Sequence, residues 1–333
     1  MQTISDRLTG PSHRWGVILA GGDGKRLLPL TRRITGDDRP KQFCVVVGDR
    51  TLLQQTRDRV ARIIDPERTL LVMTVAHERF YRDQVADAPS SCLVIQPQNR
   101  GTSAAILYSL LRIHALDSKA QIAVFPSDHH FSNDDAFIPQ IRLAFSTAET
   151  RPDMVILLGI VPETPETSYG WIEPGPVVET PYSDTVSLVK RFWEKPSKAQ
   201  ACSLMDSGCL WNSFIMVGTA GSFLELTRGA IPRLHDSFES IRHCFATTDE
   251  APALSALYAG IPTSSFSNDV LSVSTQGLAV LRSDGLGWSD LGEPARVLSI
   301  QDRKGPKSES DYDSTSGAST RRASSGVTGV TAS

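Results

Sequence analysis

The sequence predicts an α/β protein whose central, mostly parallel sheet is flanked by helices. In the first half of the chain, short apolar runs rich in β-branched residues alternate with stretches whose apolar residues recur at helical spacing. Strand, helix and strand follow one another three times, which is the pattern of an open sheet with right-handed crossovers. With 40% apolar residues, the 333-residue chain can bury a large core. Ligands of such sheets bind at the carboxyl ends of the strands.

The strands of the first half are predicted from four short apolar runs, each of which ends in polar or turn residues. These runs are residues 15–20, 69–75, 92–96 and 122–125. The helices that connect them are predicted from apolar residues spaced three and four apart. They are residues 51–64, 102–116 and 134–147.

The second half of the chain has a less regular pattern, which follows a strand predicted at residues 154–161. Further strands are predicted at residues 169–172, 186–194, 210–217 and 278–282. Helices are predicted at residues 197–205, 222–229, 234–245 and 253–258. We interpret this half as a smaller substrate-binding lobe built onto the same sheet.

Composition excludes several classes of protein. A formal charge of −3 shows no basic excess of the kind that nucleic-acid binders carry. No apolar run approaches the roughly 18 residues that span a bilayer, and the polar N-terminus does not resemble a signal peptide. Five scattered cysteines without a C-x-x-C pair indicate reduced thiols. We therefore expect a cytoplasmic protein with neither a nucleic-acid nor a membrane partner.

Three segments are predicted along the chain. Residues 1–13 form a polar N-terminal arm, and residues 14–302 form one large globular domain. Residues 303–333 form a tail rich in Ser, Thr and Gly, with no Leu, Ile or Phe after residue 307. Such a segment buries too little apolar surface to offset the entropy of ordering it, so we expect a disordered tail.

The clearest local motif is a glycine-rich loop, LAGGDGKRLLPLT, at residues 19–31. Its glycines let backbone amides approach an anion, while Lys25 and Arg26 add cationic donors. The loop lacks the third glycine of a dinucleotide fingerprint, where Leu27 stands, and the Ser or Thr of a Walker loop, where Arg26 stands. It predicts phosphate binding of another type, with a plain tight turn as the alternative.

The loop is the first of eight segments that occur in a fixed order along the chain and together are more specific than the loop alone. They are GGDGKRLLPLT from Gly21, PKQF from Pro40, QPQNRGTSAA from Gln96, FPSDHH from Phe125, PETSYGWIEPG from Pro165, VKRFWEKPS from Val189, LWNSFIMVG from Leu210 and GWSDLGEP from Gly287. Their order resembles that of the sugar-1-phosphate nucleotidyltransferases, most closely the mannose-1-phosphate guanylyltransferase family. The resemblance implies a Rossmann-like, GT-A nucleotidyltransferase fold with a small sugar-binding lobe.

The resemblance also implies a reaction. The phosphate oxygen of a hexose 1-phosphate attacks the α-phosphorus of a nucleoside triphosphate, and pyrophosphate leaves with the assistance of Mg²⁺. The matched catalytic positions are Arg26, Lys41, Asp128, Lys195 and Asp290, with Asp128 and Asp290 as the metal ligands. An aspartate at the end of a strand suits a hard cation such as Mg²⁺. His129 and His130 do not predict zinc, because no third histidine or cysteine stands nearby.

The remaining matched positions divide into two groups. The nucleotide-binding positions are Leu19, Ala20, Gly21, Gly22, Gly24, Lys25, Gln96, Gly101 and Thr102. The positions that bind the sugar phosphate are Tyr169, Gly170, Glu194, Lys195, Asn212 and Asp269.

The resemblance leaves the nucleobase open because Gln96 stands where guanylyltransferases generally carry Glu. Guanine presents two adjacent donors, which suit two carboxylate oxygens, whereas an amide matches thymine or uracil better. We expect GDP-mannose formation from mannose 1-phosphate and GTP. The alternatives are dTTP or UTP with glucose 1-phosphate, or a non-catalytic sensor of sugar nucleotides. The sequence does not decide whether the chain forms a homo-oligomer.

Overall fold

A nine-stranded sheet organises the chain in the computed structural model, which describes residues 13–179 and 185–303. Its strands and those of a two-stranded sheet are β1 Arg14–Leu19, β2 Thr69–Thr74, β3 Leu93–Gln96, β4 Gln121–Pro126, β5 His130–Phe131, β6 Val155–Ile160, β7 Gly170–Val177, β8 Val186–Glu194, β9 Leu210–Thr219, β10 Leu278–Ser283 and β11 Trp288–Ser289. The large sheet has the order β3-β2-β1-β4-β9-β6-β10-β8-β7, and β5 pairs with β11 beside it.

The direction of the strands confirms the mostly parallel sheet that the sequence predicts. Parallel ladders join β3, β2, β1 and β4, and another joins β6 to β10. Strands β8 and β9 run against the other seven. The antiparallel pair β7–β8 forms the smaller lobe of the second half, attached to the main sheet through β10 and β9.

Helices cover both faces of the sheet. They are α1 Leu28–Thr35, α2 Leu52–Ala61, α3 Glu78–Tyr81, α4 Thr102–Leu116, α5 Asp134–Thr150, α6 Lys198–Asp206, α7 Ala220–Ala230, α8 Pro232–Ser240, α9 Glu250–Gly260 and α10 Pro294–Arg303. Two of them begin with capping boxes. The side chains of Thr51 and Ser197 accept from the backbone amide three residues later, and the glutamine at that position accepts from the backbone amide of Thr51 or Ser197. Short 3₁₀ turns at Lys25–Leu27 and Lys41–Phe43 and a π-helical turn at Phe266–Leu271 lie near the carboxyl ends of the strands.

The core has two layers because side chains alternate across each strand. Val17 and Val72 face a layer that α4, α7, α8 and α9 complete. Ile18 and Met73 face the opposite layer, where α2, α5 and α6 pack. A third, smaller cluster brings Val297 of α10 against the segments on either side of the first helix. Burial of this kind contributes about 25 cal/mol per Å² of apolar surface, so both layers stabilise the strands between them.

Most predicted elements form, and the differences have physical causes. The helix predicted at residues 234–245 ends at Ser240, and a separate 3₁₀ turn follows at Arg242–Cys244. The strand predicted at residues 169–172 continues to Val177, where its ladder is irregular around Pro174 because proline cannot donate to it. The sequence analysis missed α1, α3, α10 and the β5–β11 pair, each of which has ten residues or fewer.

The two predicted terminal segments lie outside the residues that the structure describes. The arm at residues 1–13 and the tail at residues 303–333 lie outside the described residues, apart from His13 and Arg303, the last residue of α10. Their boundaries therefore stay predictions. Within residues 13–179 and 185–303, no helix is long and apolar enough to cross a membrane.

The cysteines give a direct test of this packing. All five are free thiols; Cys44, Cys92 and Cys209 are buried and Cys202 is exposed. Burial raises the pKa of Cys44 to about 12 and that of Cys209 to about 11, so few thiolates form there near neutral pH. With DTNB at pH 8, we expect Cys202 to react first and the three buried thiols only on unfolding. A Cys202→Ser variant should lose the fast phase; rapid labelling of the buried thiols in the native protein would contradict the core described above.

Candidate active site

Two adjoining cavities open at the carboxyl ends of β1 and β4, and they share Leu19, Gly22 and Thr102 as walls. The first, of about 300 Å³, is the charged cavity; it is lined by Leu19, Gly22, Gln42, Thr102, Pro126, Ser127, Asp128, His129, Glu194, Lys195, Phe214, Ser265 and Ser267. The second, of about 210 Å³, is the amide cavity; it is lined by Leu19, Gly21, Gly22, Val72, Gln96, Asn99, Gly101, Thr102 and Ala105. The position agrees with the edge at which α/β sheets bind ligands.

The glycine-rich loop runs along both cavities and is held by a glutamine that the sequence analysis did not select. The Nε2 atom of Gln42 donates to the carbonyl oxygens of Ala20 at 3.1 Å and Gly22 at 2.7 Å. Gly24 has a φ of 61°, and a Cβ there would lie 3.3 Å from the Lys41 amide nitrogen. The loop therefore packs against the PKQF turn with its backbone exposed to the cavities.

Lys41 joins three distant segments of the chain. Its side chain is buried, and Nζ lies 3.3 Å from Asp128 Oδ2. The same ammonium donates to the carbonyl oxygen of Asp290, and a second carbonyl, that of Leu291, lies 3.3 Å away. Lys41 is thus a buried cation behind the charged cavity; it does not line that cavity directly.

Asp128 presents its carboxylate to the charged cavity, and its side chain is 37% exposed. Desolvation alone would raise the pKa of this carboxyl. The neighbouring Lys41 ammonium and the His129 ring outweigh it, so the pKa of Asp128 lies below its ordinary value. Asp128 is therefore a carboxylate at neutral pH.

Asp290 is clamped by an arginine from α10. Its Oδ1 accepts from the backbone amide of Gly292 at 2.7 Å and from Nη1 of Arg296 at 2.6 Å. Nη2 of Arg296 reaches Glu166 at 2.7 Å, and the guanidinium lies 4.4 Å from the centre of the Tyr169 ring. Sequence reasoning missed Arg296 because it stands in a segment interpreted as the approach to the tail.

Four predicted sugar-phosphate positions come together at the lobe formed by β7 and β8. Gly170 pairs with Glu194, and a Cβ on Gly170 would lie 3.0 Å from Glu194 Oε2 and 3.4 Å from Asn212 Cβ. Lys195, with a φ of 48°, forms a 3.0 Å ion pair with Glu194. A side chain at Gly170 would therefore collide with the Glu194 carboxylate and with Phe192, whose Cζ would lie 2.9 Å from the added Cβ.

Tyr169 lies directly before β7 and packs in an aromatic cluster. Its ring packs between Trp211 and Trp288, at centroid distances of 5.1 and 4.9 Å. The indole of Trp288 also lies 3.3 Å from Nδ1 of His129, a cavity residue to which the sequence analysis gave no role. Burial raises the pKa of Tyr169, so its phenol stays neutral.

Three predicted positions are not assembled with the others. Lys25 and Arg26 are exposed on the loop and line neither cavity, and Lys25 lies 3.8 Å from Asp23. Asp269 lines a separate surface cavity beside α8. Its Oδ2 accepts from the hydroxyl of Ser264 at 2.7 Å and from the amide of Ser265 at 2.9 Å, so it holds its own turn.

The described part of the chain contains no group of three or more His, Cys, Asp or Glu side chains placed to hold a metal ion.

Comparison with known proteins finds one family along nearly the whole domain. The model of the family described as nucleotidyl transferase matches residues 15–304. The chain is 30% identical to a mannose-1-phosphate guanylyltransferase of Escherichia coli K12, over 87% of this chain and 60% of that protein. It is also 30% identical to the alginate biosynthesis protein AlgA of Pseudomonas aeruginosa, over 85% of this chain and 58% of that protein. The chain thus spans about 60% of the length of these curated relatives.

Solved structures show the same fold. A mannose-1-phosphate geranyltransferase from Thermus thermophilus matches with a TM-score of 0.73 at 30% identity, over 86% of this chain and 80% of that one. A mannose-6-phosphate isomerase from Helicobacter pylori matches with a TM-score of 0.61 at 21% identity, over 82% of this chain and 98% of that one. The second similarity concerns the fold alone.

A matched pair of glycine variants tests the wall of the amide cavity. Gly101 has a φ of 84°, and a Cβ there would lie 2.2 Å from the carbonyl oxygen of Ser264. Gly208 has a φ of 76° with nothing within 4 Å of the added atom. We expect Gly208→Ala to lower the free energy of unfolding by about 1 kcal/mol through backbone strain alone. Gly101→Ala should cost about 3 kcal/mol or more, because backbone must also move. Urea titration measures both; equal costs would contradict the close approach at Ser264.

Proposed function

The chain belongs to the nucleotidyl transferase family, and on this premise we propose that it makes GDP-mannose and pyrophosphate from mannose 1-phosphate and GTP. In this reaction a phosphate oxygen of the sugar 1-phosphate attacks the α-phosphorus in line. The bond between the α-phosphorus and its bridging oxygen breaks, and pyrophosphate leaves. The full-length relatives extend beyond the matched region, so the activity of the whole protein is part of the proposal.

The observation that carries the proposal is the meeting of two ion pairs at the charged cavity beside a glycine-rich loop. Asp128 pairs with Lys41 behind the cavity, and Glu194 pairs with Lys195 at its other end. The nucleophile is already an ionised phosphate, so the reaction needs no general base. Positioning two polyanions and neutralising their charge supply most of the rate acceleration in phosphoryl-type transfers. Fixed cations, carboxylates and exposed amides are the groups such a reaction uses.

The residues divide the work according to their positions. Glu194 and Asn212 would accept or donate hydrogen bonds with sugar hydroxyls, and Lys195 would hold the sugar phosphate. The glycine-rich loop would bind the triphosphate through backbone amides. Lys25 and Arg26, exposed on that loop, would contact the departing pyrophosphate.

Mg²⁺ fits the donor set that is present. Asp128 is ionised and faces the cavity, and Oδ2 of Asp290 accepts no hydrogen bond from the described residues, whereas Oδ1 is committed to Arg296 and Gly292. Hard carboxylate oxygens together with substrate phosphates are the usual Mg²⁺ ligands. When bound, Mg²⁺ would supply positive charge at the phosphate oxygens.

A second candidate function keeps the chemistry and changes the substrates. Gln96 lines the amide cavity, and its NH₂ group also suits a carbonyl oxygen of thymine or uracil, which supports dTTP or UTP with glucose 1-phosphate as the second candidate. A screen of pyrophosphate release tests both candidates, with GTP, dTTP, UTP, ATP and CTP against mannose 1-phosphate and glucose 1-phosphate, each with Mg²⁺ and with EDTA. We expect turnover with GTP and mannose 1-phosphate that EDTA abolishes. Preference for dTTP or UTP would select the second candidate, and silence throughout would indicate a non-catalytic sensor.

Asp128→Asn tests the carboxylate at the charged cavity. We expect turnover to fall about 100-fold or more, because the charge that would hold the metal is lost. The loss of the ion pair with Lys41 should also lower the free energy of unfolding by about 2 kcal/mol. Because the pKa of Asp128 is depressed in the folded protein, this stability difference should be complete above about pH 5 and vanish as the pH falls through that pKa.

The matched control for this variant is Asp87→Asn. Asp87 also pairs with a cation, Arg57, at 2.8 Å, but its side chain is 74% exposed and lies away from both cavities. We expect unchanged turnover and a change in unfolding free energy of about 0.5 kcal/mol. Near-normal turnover in Asp128→Asn would refute the metal-binding role of that carboxylate.

A further inference from the structure

Tyr258 holds the amide of Gln96 in one orientation. The ring of Tyr258, in α9, is fully buried, and its hydroxyl donates to Gln96 Oε1 at 3.0 Å. The Nε2 atom at the other end of the amide lies 3.5 Å from the carbonyl oxygen of Met73. A backbone carbonyl only accepts, so the NH₂ group must face Met73 and the oxygen must face Tyr258. Burial raises the pKa of Tyr258, which keeps its phenol protonated and able to donate.

The same residue also holds the far end of the segment that carries Gln96. The backbone oxygen of Tyr258 accepts from Nε of Arg100 at 2.8 Å. The segment from Gln96 to Arg100 is therefore fixed at two points by one turn of α9.

The amide turns its N–H side towards the cavity. A Cβ on Gly21 would lie 3.0 Å from Gln96 Nε2, so this nitrogen is next to the glycine-rich loop. Gly21 and Gln96 line the amide cavity, whereas Tyr258 lies behind it and is not part of the wall. The oxygen of the amide is thus directed to the core and its nitrogen to the loop side of the cavity.

The amide cavity suits a nucleobase better than the charged cavity does. None of the residues that line it is charged, and Leu19, Val72 and Ala105 give it apolar walls. The charged cavity next to it contains Asp128, Glu194 and Lys195. A flat apolar ring with polar edges belongs in the first, and phosphates and sugar hydroxyls belong in the second.

We infer that Tyr258 is a positioning residue for base selection: by fixing the Gln96 amide, it makes the site prefer bases that present a carbonyl oxygen over bases that present an amino group. Guanine, thymine and uracil carry such an oxygen, whereas adenine and cytosine carry an amino group in its place. The inference rests on the proposed function, since it assumes that a nucleoside triphosphate binds in these cavities.

The selection follows from hydrogen-bond pairing. An N–H that faces a carbonyl oxygen forms a hydrogen bond, whereas an N–H that faces an amino group leaves two donors unpaired in a buried place. Sites built to pair a polar group discriminate strongly against ligands that leave it unpaired. An amide that can rotate by half a turn would accept either class of base. The 3.5 Å contact with the Met73 carbonyl is long, so the 3.0 Å hydrogen bond from Tyr258 is the stronger of the two constraints that make the preference strict.

The test measures base selectivity in Tyr258→Phe. The readout is the ratio of kcat/KM for GTP, dTTP or UTP, whichever is turned over best, to that for ATP. We expect the intact protein to favour the carbonyl-bearing base and Tyr258→Phe to lower the ratio about tenfold, which corresponds to the loss of one hydrogen bond. Equilibrium binding of the same nucleotides, followed calorimetrically, should show the same change without any need for turnover.

Tyr108→Phe is the matched control. Tyr108 and Tyr258 are both buried, both donate one hydroxyl to a side chain, and both rings lie about 6 Å from Phe238, at 6.2 and 5.9 Å. Removal of the Tyr108 hydroxyl should cost stability without changing the ratio. In a Gln96→Met background, Tyr258→Phe should no longer affect the ratio, because the amide that it positions is absent.

The outcomes separate this inference from the proposed function. Turnover with a ratio that Tyr258→Phe leaves unchanged overturns the inference and leaves the function standing. Selective binding that Tyr258→Phe relaxes, without any turnover, supports the inference and overturns the function. A preference for ATP or CTP in the intact protein overturns the inference, and failure to bind any nucleotide overturns both.

Discussion

The buried ammonium of Lys41 is the contact on which the site depends. It reaches Asp128 at the end of β4 and the carbonyl oxygens of Asp290 and Leu291 near the end of the domain. A buried cation without partners is costly, so these segments must come together for Lys41 to be accommodated. One interaction thereby joins parts of the chain that are 249 residues apart in sequence and sets the back wall of the charged cavity.

This explains which parts of the fold the sequence could predict. Strands and helices such as β1 and α4 follow from local periodicity. The resemblance to the nucleotidyltransferases is confirmed by the family match over residues 15–304. The sequence analysis placed Lys41 among the catalytic positions by resemblance, but a short sequence window cannot reveal that its side chain is buried. Its partners come from two other segments, and only the folded chain brings them together.

The same limit applies to Gln96. Sequence reasoning identified this residue and weighed its free oxygen against the donors of guanine, as if the amide were unattached. In the structure that oxygen accepts a hydrogen bond from the hydroxyl of Tyr258, 162 residues further along the chain. The sequence predicted the helix that carries Tyr258 but not this contact. If a nucleobase binds here as proposed, guanine and thymine would both offer a carbonyl to the remaining N–H, and the choice between them would fall to other residues of the cavity wall, such as Asn99. Arg296 was missed for a related reason. It acts through hydrogen bonds to Asp290 and Glu166, and these long-range contacts leave no local sequence pattern.

Under the proposed function, the charges around the site favour a divalent cation. Lys41, Lys195 and Arg296 contribute three formal positive charges. Their ion pairs of 3.3 Å or shorter are with Asp128, Asp290, Glu166 and Glu194, which contribute four negative charges. A triphosphate and a sugar phosphate would add several more negative charges to a site that already has an excess of one. Coulomb repulsion between these groups would be several times stronger in a partly desolvated cleft than in water. In the proposed reaction, additional positive charge would enter with the nucleotide, and the hard carboxylate oxygens of Asp128 and Asp290 would receive it.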